Sequence, residues 1–249
     1  MFAAPDVVRL GRGLARGLAL LLTLAAAGCL NDPSATAPSD FLNLSAEDSV
    51  LSADGVAHTE VVLRLDSETS ARSYSGSLTL ATTAGRFLEA ASSSPQQYTT
   101  VPVNGTVRAR LIAPDTSAEA VVTASGEGLT QRLPVRFVTA LPTTVLLRST
   151  AETAQLSGPP VVLSVTALRP VGQGVVSRNV RVELLAELAD GTPLTELIRV
   201  QPFSAQQNET VSFSVTAPRP GTVRFRARLV SPEGSVTSEF RTVVFVVDG

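Results

Sequence analysis

The chain has 249 residues, of which 44% are hydrophobic, 4% are aromatic and 17% are charged, with a formal net charge of −2. It has no lysine and one histidine, which excludes Schiff-base, Walker-type and Ser-Lys chemistry and the zinc or copper sites built from several Cys and His ligands. The acidic balance does not supply the cationic face that phosphate backbones require, so we expect no nucleic-acid partner.

The first predicted element is an export signal at the N-terminus. Three arginines precede an uncharged apolar stretch, residues 17–28, which is too short to span a bilayer comfortably. Small residues stand directly before Cys29, the only cysteine of the chain. This order of segments is typical of a signal peptide, which we predict over residues 1–28.

The run Ala26-Ala27-Gly28-Cys29 resembles the lipobox of bacterial lipoproteins. In that family the cysteine thiol is acylated and the signal peptide is cleaved before it, so the resemblance implies a fatty acyl group such as palmitate on Cys29. The mature protein is then tethered to a membrane without spanning it. By the sorting rule of Gram-negative bacteria, Leu30 favours the outer membrane. The alternative is an ordinary secretory signal with a chance cysteine, which would leave an unpaired thiol in an oxidising compartment.

A flexible linker is predicted over residues 29–40. Residues 31–40, NDPSATAPSD, are rich in Pro, Ser, Ala and Thr and show no apolar periodicity. Such a composition favours a flexible spacer between the lipid and the folded part.

The remainder of the chain contains an internal repeat of about 100 residues. The pattern AExxxLS at residues 46–52 returns at residues 151–157. Further matches in the same order are TV leading to AP at 106–114 and 210–218, and SxEG at 125–128 and 231–234. We therefore predict two modules of one fold, residues 41–140 and residues 141–249.

Within each module apolar and polar residues alternate with a period of two. The alternation runs through residues 58–65 and 107–111 and again through 211–215 and 223–229, which predicts antiparallel strands with one buried face. Turn signals such as Asn104-Gly105 lie between the runs. Roughly seven short strands a module predict β-sandwiches.

One segment leaves two structures open. The stretch RVELLAELAD at residues 181–190 is compatible with a helix. We predict a strand instead, with an inward row that begins Val180, Val182 and Leu184.

The first module contains four characteristic stretches: LSADGVA at 51–57, TAGRF at 83–87, NGTVRARL at 104–111 and VTA at 122–124. On these stretches it resembles, over residues 41–139, the bacterial immunoglobulin-like modules of invasin and intimin. The second module matches only through its likeness to the first. The resemblance implies an all-β fold of two tandem immunoglobulin-like β-sandwiches, used for adhesion or as a spacer.

We expect no catalytic site and no cofactor. His58 is predicted to point outward, and no Gly-x-Ser-x-Gly turn accompanies it. The pair Gly172-x-Gly174 opens onto a strand instead of a helix N-terminus, so it is interpreted as a plain loop and not as a phosphate loop. Carboxylate chemistry stays open as an alternative. The candidate loop acids are Glu47, Asp48, Asp54, Asp115, Glu119, Glu187 and Asp190.

The sequence as a whole favours a lipid-anchored protein of the cell envelope, in the outer membrane of a Gram-negative bacterium. Its modules are predicted to act in adhesion, spacing or scaffolding and to contact a protein partner. Phe203, in the polar segment 201–210, is the candidate contact residue. The alternatives are an accessory subunit of an envelope secretion or export assembly and a carboxylate-dependent hydrolase.

Overall fold

The computed structural model describes residues 42–65, 75–126, 128–202 and 210–248. The predictions for the signal peptide, Cys29, the linker and Phe203 lie outside the described residues. Within the described ranges, no helix is long and apolar enough to cross a lipid bilayer.

The described chain is built from β-strands, with one short 3-10 turn at Thr195–Leu197. In chain order the strands are β1 (Leu42–Ala46), β2 (Val50–Ala53), β3 (His58–Leu65), β4 (Leu78–Thr82), β5 (Arg86–Phe87), β6 (Gln97–Thr100), β7 (Thr106–Ile112), β8 (Ala118–Gly126), β9 (Leu129–Thr139), β10 (Thr144–Ser149), β11 (Thr153–Gln155), β12 (Val161–Leu168), β13 (Arg181–Leu188), β14 (Arg199–Pro202), β15 (Thr210–Val215), β16 (Gly221–Ser231), β17 (Gly234–Thr237) and β18 (Arg241–Val246).

The strands form four sheets, which pack as two sandwiches. The first sandwich pairs the sheet β1-β3-β7-β5 with the sheet β2-β9-β8-β4-β6. The second pairs the sheet β10-β12-β15 with the sheet β11-β18-β16-β13-β14, and β17 adds to β16. In both sandwiches the first segment is split into two strands that join different sheets. In the first sandwich β1 pairs antiparallel with β3, and β2 pairs parallel with β9. In the second sandwich β10 pairs antiparallel with β12, and β11 pairs parallel with β18. The repeated order agrees with the sequence repeat and confirms the predicted all-β fold.

Each sandwich has its own apolar core. The first core runs from Leu42 to Phe137 and the second from Val145 to Phe245. Their largest fully buried side chains include Phe87 and Phe137 in the first core and Phe213 and Phe225 in the second. The predicted boundary at residues 140 and 141 falls between the cores. Because the described residues belong to a single compact unit, the division into two domains stays a prediction.

Burial follows the period-two alternation of the sequence. In β13 the predicted inward residues Val182 and Leu184 are fully buried, as is Val180 just before the strand. The helical alternative for this segment is therefore wrong. An apolar row that is buried on every second residue fits a sheet face, because successive side chains of a strand point to opposite sides.

The predicted turn at Asn104-Gly105 has the backbone that a tight hairpin needs. Both residues have positive φ, 51° and 70°, and the turn joins the bridged residues Val103 and Thr106. Two successive residues with positive φ are the requirement of a type I′ turn, which asparagine and glycine meet best.

Candidate functional site

The structure brings four of the seven predicted acids to arginines, whereas the carboxylates of Glu47 and Asp48 are exposed to solvent. Ion pairs with N–O distances of 2.8–3.3 Å join Asp54 to Arg169, Asp115 to Arg178 and Glu119 to Arg136, and Glu187 is paired with Arg224. Two facing carboxylates are what a glycosidic hydrolysis would use, and in the described residues the four paired acids are each engaged by an arginine instead. Asp190 accepts a hydrogen bond from the Thr192 backbone N–H at 2.9 Å, which lowers the pKa of that exposed carboxyl.

His58 lies at the exposed start of β3, as predicted. Its Nδ1 is 3.4 Å from the Val56 carbonyl oxygen, a local contact with backbone rather than with a nucleophile. Among the residues that the structure describes, no group of three or more His, Cys, Asp or Glu side chains could hold a metal ion.

The most elaborate arrangement of polar groups is the junction where the segment 169–179 of the second sandwich meets the first. Ser177 stands at its centre and is fully buried. Its Oγ donates to the Ala53 carbonyl at 2.6 Å and accepts from the Ala140 N–H at 2.8 Å. The Ser177 N–H in turn donates to the Ala140 carbonyl at 3.0 Å. One serine therefore satisfies buried backbone groups of two different segments of the first sandwich.

Beside Ser177, an ion pair crosses the junction with almost no contact with solvent. The side chains of Asp54 and Arg169 are 5% and 11% exposed, and Arg169 Nη2 lies 3.3 Å from Asp54 Oδ2. Asp54 Oδ1 accepts the N–H groups of Val56 and Ala57 at 3.0 and 2.7 Å. The remaining guanidinium nitrogens of Arg169 donate to the carbonyls of Gln173 and Leu141 at 3.1 and 3.0 Å. Each carboxylate oxygen of Asp54 and each guanidinium nitrogen of Arg169 therefore has at least one hydrogen-bond partner, which offsets the cost of burying the two charges.

The backbone of the second sandwich also docks directly on the first. The Val175 N–H donates to the Asp54 carbonyl and the Arg178 N–H to the Asp115 carbonyl, each at 2.9 Å. This approach requires Gly174, whose φ is +72°. A Cβ there would clash with the Asp54 carbonyl oxygen and lie 2.8 Å from Val56 Cγ2, so the interpretation of this segment as a plain loop was incomplete.

A chain of side-chain hydrogen bonds continues along the same junction. Asn179 Nδ2 donates to Ser117 Oγ at 2.7 Å and to Thr139 Oγ1 at 3.0 Å. Thr139 is buried, and the interaction of its side chain with the exposed Glu233 carboxylate is the main cause that lowers the pKa of Glu233. Thr139 of the first sandwich is thus held between two residues of the second.

The Thr139–Glu233 contact predicts a pH-dependent contribution to stability. A carboxyl whose pKa is lower in the folded than in the unfolded state stabilises the fold above the unfolded value, here about 4.5, and loses that effect as the pH falls through the folded value. Between about pH 6 and about pH 3 we expect wild type to lose up to about 1 kcal/mol more unfolding free energy than Glu233→Gln, because the group is largely exposed. Urea unfolding at the two pH values measures the difference.

Glu196→Gln, in the exposed 3-10 turn, is the matched control for that experiment. It should show the pH dependence of wild type. Identical pH profiles for wild type and Glu233→Gln would contradict the junction contact.

Taken together, the junction holds the two sandwiches in one arrangement. Backbone pairs, a buried ion pair and a buried serine all cross it, and bonds of this kind are lost together when the surfaces separate. The contacts described at the junction therefore fix how the two sandwiches lie against each other.

Solved structures with a similar fold are bacterial adhesins. The adhesin InvE of Yersinia pseudotuberculosis superposes with a TM-score of 0.56 and 16% identity, over 84% of this chain and 59% of that one. Invasin, described as a bacterial integrin-binding protein, superposes with a TM-score of 0.57 and 16% identity, over 83% of this chain and 39% of that one. The chain thus spans less than two thirds of either protein. No protein-family model matches the sequence, and no curated protein is significantly similar to it.

These similarities define the class of fold. The predicted resemblance to invasin-type modules is confirmed at the level of structure: the chain has the immunoglobulin-like β-sandwich architecture of those adhesins.

Proposed function

We propose that this protein is a non-catalytic protein of a bacterial cell envelope, anchored in the outer membrane by a lipid on Cys29. Its two sandwich domains act as one stiff unit in adhesion, spacing or scaffolding. The observation that carries the proposal is the junction. Interfaces between tandem domains are ordinarily mobile. Here the Asp54–Arg169 pair and Ser177 are buried where the sandwiches meet, and such contacts favour a fixed arrangement of the two.

A stiff unit has a mechanical use. If the two sandwiches turned freely, a contact site at one end would have no fixed position relative to the membrane at the other. Held as one body, they carry that site at a set distance and orientation. The similarity of the fold to adhesins supports this use. The pairing of Asp54, Asp115, Glu119 and Glu187 with arginines also favours it over the hydrolase alternative.

The lipid anchor rests on the sequence alone. The apolar stretch, the small residues and the single cysteine occur in the order that a lipoprotein signal requires. Two or more acyl chains make membrane attachment stable, at about 0.8 kcal/mol for each buried methylene.

Metabolic labelling with radioactive palmitate tests the anchor. We expect label on the wild-type chain, recovered with the outer-membrane fraction, and no label on Cys29→Ser, which should stay unprocessed or become soluble. An unlabelled, freely soluble wild type would contradict the anchor.

Crosslinking in intact cells, followed by mass spectrometry of the affinity-purified full chain, tests the role. Adhesion or scaffolding predicts crosslinks from the described sandwiches to a protein partner that does not remain bound without the crosslinker. A fixed-stoichiometry partner that co-purifies without crosslinking would instead identify an accessory subunit of an envelope assembly.

A further inference from the structure

One open sheet face of the second sandwich carries a regular array of charges. On β13 the outward residues are Glu183, Leu185 and Glu187, and the residues directly opposite them on β16 are Arg228, Arg226 and Arg224. The outer two cross-strand pairs are acid with arginine, whereas the central pair is leucine with arginine. We call Arg226, Leu185 and the ring of Phe240 above them the arginine face.

Each of the two outer arginines of this array forms an ion pair with the glutamate opposite it on β13. Arg228 Nη2 lies 2.5 Å from Glu183 Oε2, and Arg224 is paired with Glu187. Arg226 faces an apolar side chain instead, and its guanidinium makes no hydrogen bond or ion pair with any residue in the described ranges. An arginine carries five N–H donors, so this half-buried side chain holds unused donors at the surface.

The ring of Phe240 restricts the position of the Arg226 guanidinium and therefore of its N–H donors. The ring lies just before β18 and is 42% exposed. The guanidinium carbons of Arg224 and Arg226 lie 4.8 and 5.2 Å from its centroid, within the range of cation–π attraction. Stacking restricts a guanidinium without consuming its in-plane donors, so Arg226 is oriented in advance for an acceptor that the described residues do not supply.

A small cavity of about 170 Å³ opens beside the ring. Its wall is largely apolar, formed by Leu185, Ala186, Pro193, Ile198 and Phe240 together with two charged residues, Arg226 and Glu187, and Glu187 is already paired with Arg224. The cavity is large enough for one apolar side chain, and a carboxylate next to that side chain would reach Arg226. An exposed aromatic ring beside an oriented arginine is the composition of contact hot spots between proteins.

We propose that the arginine face binds a protein segment that presents a carboxylate to Arg226 and places an adjacent apolar side chain against Phe240. The face suits one carboxylate better than a row of phosphates, because Arg228 and Arg224 are already paired with Glu183 and Glu187, which leaves Arg226 as the arginine of this array without an acid opposite it. The inference rests on the proposed contact function and assigns its chemistry. It does not depend on the lipid at Cys29.

A defined peptide tests the site. The probe is the acetylated peptide Gly-Ser-Asp-Leu-Ser-Gly, biotinylated and densely immobilised so that weak binding is amplified by avidity. The full chain, purified in detergent, is passed over this surface and over two analogues, one with Asn in place of Asp and one with Ser in place of Leu. We expect wild type to bind the parent peptide, and both analogues to lose about tenfold in apparent affinity.

Variants of the chain locate the binding. Arg226→Gln and Phe240→Ser should each lower the apparent affinity for the parent peptide by about tenfold. Arg132→Gln, an exposed arginine on β9 of the first sandwich, is the matched control and should bind as wild type. The thermal midpoints should stay close to wild type because neither side chain belongs to the core. Arg226→Lys, which keeps the charge but loses the fork of donors, should recover only part of the binding.

Several outcomes would overturn the site. These are the absence of binding by wild type, equal binding to the Asn analogue, or the same loss in Arg132→Gln as in Arg226→Gln. Binding of phosphatidylglycerol vesicles that requires Arg226 would assign the face to lipid, and self-association that requires Arg226 would assign it to a second copy. Cys29→Ser should bind the peptide normally, so a failure here and a failure of the anchor are separable.

Discussion

Replacement of Asp54 by alanine is expected to lower the free energy of unfolding by about 3–5 kcal/mol, because it leaves the Arg169 guanidinium charged and nearly buried without its partner. The same substitution removes the acceptor for the Val56 and Ala57 N–H groups, which Asp54 Oδ1 engages at 3.0 and 2.7 Å. Urea unfolding of the full chain measures the loss as a shift of the midpoint.

Two controls separate the charge from the turn. Asp190→Ala removes an aspartate that also caps a turn, through Thr192, but lies in solvent, and its loss of stability should be much smaller than that of Asp54→Ala. Asp54→Asn keeps an oxygen for the turn and removes the charge, so its loss should fall between those of the two alanine variants. If Asp54→Ala cost no more than Asp190→Ala, the buried pair would not contribute to holding the junction.

A buried ion pair of this kind is better understood as a device for geometry than as a source of stability. A buried ion pair stabilises a fold about as much as an apolar pair of the same volume, because the desolvation of the charges offsets their attraction. It tolerates few alternative arrangements, however, because separating the two charges leaves each of them buried without a partner. Arg169 satisfies its donors only when Asp54, Leu141 and Gln173 are all in place. Of these three acceptors only Asp54 belongs to the first sandwich, so an orientation that moved Asp54 away would leave Arg169 Nη2 without its partner.

The strands could be predicted because they obey a local rule. A row such as Val180, Val182 and Leu184 faces a core whatever the rest of the fold does, since side chains alternate along any strand. The Asn104-Gly105 turn is local in the same sense, because its positive φ angles are a property of two residues. Element types and the repeat follow from rules that act within a few residues.

The junction could not be predicted, because its partners are distant in the chain. The sequence predicts Asp54 as a loop acid, but the contact from Asp54 to Arg169 spans 115 residues and depends on how two finished sandwiches meet. No local pattern singles out Ser177. Its importance arises from the backbone groups of Ala53 and Ala140 that close around it.

The arginine face shows an intermediate case. The alternation of arginines at 224, 226 and 228 is plain in the sequence. Which of them lacks an acid is decided by the register of β16 against β13, which sets Leu185 opposite Arg226. A different register of β16 against β13 would have placed a different arginine opposite leucine. The register depends on the turn between the strands and on which residues face the core, so it is a property of the whole sheet.

Replacement of Gly174 by alanine is expected to open the junction. Its φ of +72° is strained for any residue with a side chain, at about 1–2 kcal/mol. The added methyl group would also meet the Asp54 carbonyl oxygen and lie 2.9 Å from Asp54 Cγ. Because backbone atoms cannot rotate away, the segment must lift, and this displacement adds about 1–3 kcal/mol.

Gly172→Ala supplies the matched control for this effect. Gly172 has nearly the same backbone, with φ of +88°, but open space where the methyl group would go, so it carries the backbone strain without the collision. In urea unfolding Gly174→Ala should therefore lose about 1–3 kcal/mol more than Gly172→Ala. In small-angle X-ray scattering of the full chain, only Gly174→Ala should show a broader distribution of distances, since its Val175 N–H can no longer reach the Asp54 carbonyl. Equal behaviour of the two variants in both measurements would mean that the sandwiches are not held by this approach, and the stiff unit on which the proposed function depends would have to be abandoned.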